Sequence, residues 1–206
     1  MTLFIIIITV IISFIAFNNR AVFARLQFNA YQIYHRKEFH RLLTHGFVHA
    51  NWWHLLINMF VLYYIGSYVE KIFYQLANEG IINYPVLDYI ILYLLSIIFA
   101  STISLVRFKD NYLYNSVGAS GAVSAIVFFS IFFQPWEKLY LYGIIGIPGI
   151  ILGIIYLVYS QYMSRKGGDN INHDAHFLGA VFGFVYPLFL DLNLINRFLS
   201  ELGILN

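Results

Sequence analysis

Long apolar blocks alternate with short polar intervals along the chain, and most of the charged residues fall in the intervals. A helix crossing the roughly 30 Å hydrocarbon core of a bilayer needs about 20 mostly apolar residues, and the blocks are of that order. Six of them run approximately over residues 2–17, 51–69, 86–106, 116–133, 139–162 and 176–192. The pattern predicts an all-α membrane protein built as a bundle of six transmembrane helices. No internal repeat or low-complexity tract interrupts it, so residues 1–206 read as a single domain.

Residues 18–50 are the one long stretch between blocks. They mix Phe23, Phe28, Tyr31, Tyr34 and Phe39 with basic residues, which suits a structure lying in the membrane interface and equally an amphipathic connector. Asn51 carries the short acceptor of an N-cap and is expected to start the second helix, with Trp52 and Trp53 at headgroup level. The fifth block contains Gly143, Gly146, Pro148, Gly149 and Gly153. These residues predict either a kinked, less rigid helix or close helix packing through glycine.

Composition strengthens the membrane reading. Hydrophobic residues make up 60% of the 206 and charged residues 11%, with a mean hydropathy of +0.72, extreme values for a soluble domain. The first block has no Lys or Arg before it and no small-x-small site after it, so it reads as a retained helix rather than a secretory signal. Cysteine is absent, which removes thiol nucleophiles, thiolate metal ligands and disulfides. The formal charge of +2 is too small to imply a nucleic-acid partner. Basic residues are unevenly placed: Arg20, Arg25, Arg36, Lys37, Arg41, Arg107, Lys109, Arg165 and Lys166 fall on one side, Lys71, Lys138 and Arg197 on the other. Taken alone, the positive-inside rule puts the first long interval in the cytoplasm.

Polar groups inside membrane segments are costly and tend to mark function. Ser120 sits in Gly118-Ala119-Ser120-Gly121 at the start of the fourth block, His176 opens the sixth, and His54 and Asn58 lie early in the second. Even-numbered helices enter the bilayer from the same side, so all four residues fall at a shallow, comparable depth. Small residues recur every fourth position as Gly118/Ala122, Gly121/Ala125 and Ala175/Gly179/Gly183, the spacing through which membrane helices approach closely. Packing those stripes together would bring Ser120 within reach of His176, as a serine nucleophile and its base require. His54 and Asn58, four apart on one helical face, and the first amides of the fourth helix are candidate donors to an oxyanion. Asp174, two residues from His176, is expected to be a bystander to a two-residue dyad. Each residue has a plainer explanation when taken singly: serine between glycines commonly serves helix packing, and histidine at a helix end is commonly interfacial.

Together these residues resemble the rhomboid family of intramembrane serine proteases, over about residues 41–183. Gly118-Ala119-Ser120-Gly121 matches that family's Gly-x-Ser-Gly, Ala175-His176 to Gly179 its Ala-His-x-x-Gly, and His54 with Asn58 its His-x-x-x-Asn oxyanion pair. His45 and His49 fit the histidines before that pair, and Glu70 with Lys71 the end of the same helix. Arg41 fits the Trp-Arg signature of the first loop, although His40 stands where the tryptophan would be. Ser124 stands where some relatives carry an aromatic that stacks on the histidine. The resemblance implies a six-helix rhomboid-like fold with a long, partly embedded first loop. It implies a serine endopeptidase that cleaves membrane-anchored proteins in or beside a transmembrane helix, needs no cofactor, and opens its site to the non-cytoplasmic side. The compact core suggests a bacterial inner membrane, and the fifth helix is a plausible lateral gate for substrate.

Two other readings compete. An inactive rhomboid-like protein would bind membrane clients without cutting them, but such relatives typically lose the serine or the histidine. A metal-binding or transport protein would account for His40, His45, His49, His54, His173 and His176, two of which have the i, i+4 spacing of a helical metal pair. The blocks hold only two carboxylates, Asp88 and Asp191, both near block ends.

Overall fold

A largely apolar sequence makes α1 (Thr2–Asn18), and a polar residue ends it: the Asn19 side chain caps α2 (Arg20–Leu26), accepting from the amides of Ala21 and Val22. The structure is a computed structural model, which describes residues 1–141, 144–168 and 171–205. After α2 come a two-residue strand β1 (Phe28–Asn29), α3 (Ala30–Arg36) and α4 (Arg41–Thr44). Asn29 works twice here. Its Oδ1 caps α3 through the Gln32 amide, and its Nδ2 donates to the Tyr112 carbonyl and to Asn115 Oδ1. Those bonds continue the pairing of β1 with β2 (Asn115–Ser116), Phe28 opposite Ser116, and so tie the first loop to the segment just before Ser120. Arg41 is buried beneath this loop, donating to Glu38 and to the carbonyls of Ala24 and Gln27. The loop is therefore a folded structure organised around a satisfied guanidinium.

Asn51 is the N-cap of the next helix, accepting from the His54 amide at 2.9 Å. That helix, α5 (Trp52–Val61), passes through a π-turn over Leu62–Gly66 into α6 (Ser67–Asn78), well beyond the predicted end at residue 69. Pro85 opens α7 (Pro85–Ala100), whose fixed φ suits a first helical turn, and α8 (Thr102–Phe108) follows. Trp52–Asn78 and Pro85–Phe108 are long and apolar enough to cross a membrane. The Glu70 carboxylate accepts from the amide and hydroxyl of Thr2, fastening the start of α1 to α6.

At the centre stands α9 (Ser120–Phe133), with all but two of its residues buried. A helix apolar on every side must be surrounded, and α5 to α7, α10 and α11 surround it. Residues 116–119, predicted to be helical, are extended into β2 and a glycine turn.

The fifth block departs most from expectation. Its helix, α10 (Gly149–Lys166), begins ten residues after the predicted start at 139 and is uninterrupted. The residues before it form an antiparallel hairpin of β3 (Lys138–Leu141) and β4 (Ile145–Pro148). Pro148 has no amide hydrogen and sits at φ −51°, ψ 134°, an extended geometry that continues the strand and ends where the helix starts. Gly146 and Pro148 thus lie in the hairpin and kink no helix, and Gly143 lies outside the described residues. Gly149 and Gly153 let α10 close on Ile131 and Phe128 of α9.

Asn172 caps α11 (His173–Val185), which starts three residues before His176, and Pro187 then opens the short α12 (Pro187–Leu190). The chain continues through α13 (Leu194–Glu201). Where α11 crosses α9, a Cβ at Gly179 would fall on the Gly121 carbonyl, and one at Gly183 on the Ala125 carbonyl. The predicted small-residue seam is therefore a backbone-to-backbone contact. Outward faces remain apolar, with Ile7, Phe60 and Ile154 all more than half exposed.

Candidate active site

Ser120 occupies the first position of α9, where the amide has no carbonyl partner within the helix. The turn that delivers it needs Gly118, whose φ is +123° and whose added Cβ would meet His54 Cε1 at 2.5 Å. Two histidines hold the turn. The His45 carbonyl accepts from the Gly118 amide at 3.0 Å, and His49 Nε2 accepts from the Ala119 amide at 3.3 Å. That acceptance leaves the proton of His49 on Nδ1, facing Ser13 Oγ at 3.0 Å, and Ser13 donates onward to the Phe47 carbonyl. The imidazole is thus a neutral strut between α1 and the turn before Ser120.

His176, in the first turns of α11, brings Nε2 to 2.8 Å from Ser120 Oγ. The seam at Gly121 and Gly179 permits this approach, since a side chain there would push the two helices apart. Gly121 also meets α7, where its added Cβ would lie 2.6 Å from that of Ala100. Asp174 turns away, bonded to Arg107 and to Ser164. The Tyr156 ring of α10 lies beside His176, centroids 6.3 Å apart and planes 16° from parallel, and its hydroxyl is 2.7 Å from Ser124 Oγ. An aromatic neighbour therefore reaches the imidazole from α10, while Ser124 bonds to that ring.

His54 and Asn58 line the same cleft as Ser120, His176 and Tyr156, a space of about 1030 Å³. One hydrogen of the Asn58 amide goes to the His54 carbonyl at 2.7 Å, leaving the second for another acceptor. Among the described residues no three His, Cys, Asp or Glu side chains gather where they could hold a metal ion.

A family model described as the Rhomboid domain matches residues 36–192, most of the chain. The chain belongs to the rhomboid family. Similar curated proteins include RHOMBOID-like protein 12, mitochondrial, of Arabidopsis thaliana, 30% identical over 145 residues that cover 68% of this chain and 43% of that protein. Rhomboid-like protein 11, chloroplastic, of the same plant is 30% identical over 166 residues, 74% of this chain and 53% of that protein. The chain thus spans about half the length of these relatives.

As a rhomboid, a membrane-embedded class of protein, this chain uses groups that its sequence motifs did not reveal. Ser13 was overlooked, although a hydroxyl inside an otherwise apolar helix was itself the signal; with Thr9 it forms a buried i, i+4 polar pair. Tyr156 carried no signal, being one of three tyrosines in α10.

The buried histidines of the first loop also predict a pH response. Burial lowers the pKa of His45 to about 4 and, with the neighbouring His54 adding repulsion, that of His49 to about 3. Between these values and the ordinary 6.5 the unfolded chain binds protons that the folded one does not. Stability is therefore expected to be level above pH 6.5 and to fall as pH drops below it, by up to about 1.4 kcal/mol per pH unit for each ring. Thermal melts of the detergent-solubilised rhomboid from pH 7.5 to 4.5 measure this, and an unchanged midpoint would contradict it.

Proposed function

We propose that this rhomboid is an intramembrane serine endopeptidase, with Ser120 as nucleophile and His176 as general base. The observation that carries the reading is the 2.8 Å contact between Ser120 Oγ and His176 Nε2 inside a cleft of about 1030 Å³. As Oγ attacks the scissile carbonyl carbon, Nε2 takes the hydroxyl proton. The carbonyl oxygen becomes an oxyanion, and His176 then returns the proton to the leaving amine as the acyl-enzyme forms. Water, activated by the same imidazole, releases the acyl group. The Ser120 amide, the free hydrogen of the Asn58 amide and His54 are the donors available to the oxyanion. Asp174, paired elsewhere, takes no part.

In this reading six helices cross the bilayer: α1, α5 with α6, α7 with α8, α9, α10, and α11 with α12. The first loop lies partly in the interface, and the substrates are membrane-anchored proteins cut within or beside a transmembrane helix that reaches the cleft past α10. Nucleic acid has no part in the proposed chemistry. The decisive assay incubates the purified protein in detergent with a transmembrane substrate and, separately, with a serine-directed phosphonate. Cleavage and phosphonate attachment to Ser120 are expected; binding of the substrate without either would favour an inactive client-binding rhomboid.

For orientation we propose that the cleft opens to the non-cytoplasmic side of a bacterial inner membrane. Arg41 is buried and paired, so it does not count as a free cytoplasmic charge. The cysteine-free chain suits single-cysteine labelling. A cysteine at Tyr112 is expected to react with an impermeant reagent outside intact cells, and protection there with reaction only after lysis would reverse the orientation.

A further inference from the structure

An imidazole that must accept a proton from one hydroxyl needs its ring plane fixed as well as its distance. Ser120 faces His176 on one edge. The Tyr156 ring lies beside it, near parallel, and the Tyr156 hydroxyl meets Ser124, one turn beyond Ser120 on α9. Tyr156 therefore belongs to α10, lies alongside the imidazole of α11 and bonds to α9. Against α9 itself the other contacts of α10 are apolar, Gly149 and Gly153 against Ile131 and Phe128, while directional bonds hold its two ends: the Gly149 and Ile150 amides donate to the Glu137 and Pro135 carbonyls, and Ser164 donates to Asp174 of α11. The outer face of α10, including Ile154 and Val158, is exposed. A substrate helix arriving past α10 would have to separate these surfaces.

We propose that Tyr156 is a positioning residue for His176, and that its bond to Ser124 makes the base correctly held only while α10 is seated against α9. The inference rests on the reading of Ser120 and His176 as the catalytic pair. It assigns Ser124, which stands one turn beyond the nucleophile, the task of latching an aromatic supplied by another helix. Moving α10 outward breaks the latch and removes the ring from the imidazole together. A substrate can therefore be admitted by displacement of α10, and proton transfer follows its return.

The test compares wild type with Tyr156→Ala, Tyr156→Phe, Ser124→Ala, the pair Tyr156→Phe/Ser124→Ala, and the swap Ser124→Tyr/Tyr156→Ala. The swap moves the aromatic onto α9 with nearly conserved total volume. Misplacing a reacting group by about 1 Å costs on the order of 10²-fold in rate, so Tyr156→Ala is expected to lower kcat by about 10- to 100-fold with KM little changed. Its kcat/KM against pH should show a displaced acid limb, because the environment of His176 has changed. Tyr156→Phe and Ser124→Ala should each cost a few-fold and should not add, since they break one bond. The swap should recover most of the kcat lost in Tyr156→Ala.

Wild-type kcat in Tyr156→Ala, a change confined to KM, or additive effects of the two latch variants would overturn the proposal. So would loss without recovery in the swap, which would reduce Tyr156 to packing. Tyr156→Phe retains the ring volume and carries the test if Tyr156→Ala does not fold. Phosphonate labelling of Ser120 separates the two levels. A wild type that neither labels nor cleaves sinks the catalytic reading, whereas a labelled wild type matched in rate by the Tyr156 variants sinks only this inference.

Discussion

Cleavage of a transmembrane substrate is expected to fall by about 10⁴-fold or more in Ser120→Ala, and by a similar factor in His176→Ala. In the proposed mechanism no covalent intermediate forms without the Ser120 hydroxyl. Without His176 the hydroxyl must attack while still holding a proton that nothing at 2.8 Å can take. Because the two act as one unit, the double variant should be no slower than the worse single one. Both substitutions only remove atoms, and neither residue lies in the backbone seam, so melting midpoints should stay within a few degrees of wild type. Substrate conversion measured on gels over several days resolves such a loss. Equal cleavage by wild type and both variants would remove these residues from the mechanism.

The second large effect is structural. In Gly179→Val the new side chain would have to occupy the position of the Gly121 carbonyl, which belongs to the backbone of α9 and cannot rotate away. Overpacking of side chains typically costs about 1–3 kcal/mol and sometimes more; here backbone meets backbone, so the upper end of that range is expected. The two helices must separate, and Ser120 and His176 separate with them. The variant is expected to melt well below wild type and to lose cleavage, with Gly183→Val behaving alike through the Ala125 carbonyl. Melting curves and cleavage rates of the same preparation measure both. Wild-type melting in either variant would mean that the seam has slack that the structure does not show.

How much of this was legible in the chain depends on whether a feature is local. The Asn51 cap, the serine after Gly118 and the small residues of α9 and α11 are short-range patterns whose physics acts within a turn or two, and the structure brings them together as expected. The helix boundaries were poorer. An apolar run containing Tyr140, Ile145 and Ile147 suits a strand as well as a helix, and only Pro148 marked where one becomes the other. The expectation of a glycine-kinked fifth helix failed for the same reason: Gly146 and Pro148 lie in the hairpin, while Gly149 and Gly153 pack α10 against α9 without kinking it. Ties between distant segments left no spacing to read. Ser13, His49 and Ala119 meet from three separate elements, and Tyr156 reaches His176 from a helix that no motif connects to it. The Ser124 position looked like a missing aromatic because its partner lies 32 residues on.

The distance along the chain between Ser120 and His176 also has a meaning during synthesis. They are 56 residues apart, and α11, which carries His176, is made after α9 and α10. At translation rates of about 5–20 residues per second, the serine leaves the ribosome about 3 to 11 s before the histidine. The turn before Ser120 has its supports from α1 and the first loop during that interval, but no base stands beside the hydroxyl. In the proposed mechanism a nascent chain inserting next to other newly made membrane helices is thus chemically inert until its own glycine seam closes, and the onset of cleavage is timed by the docking of α11.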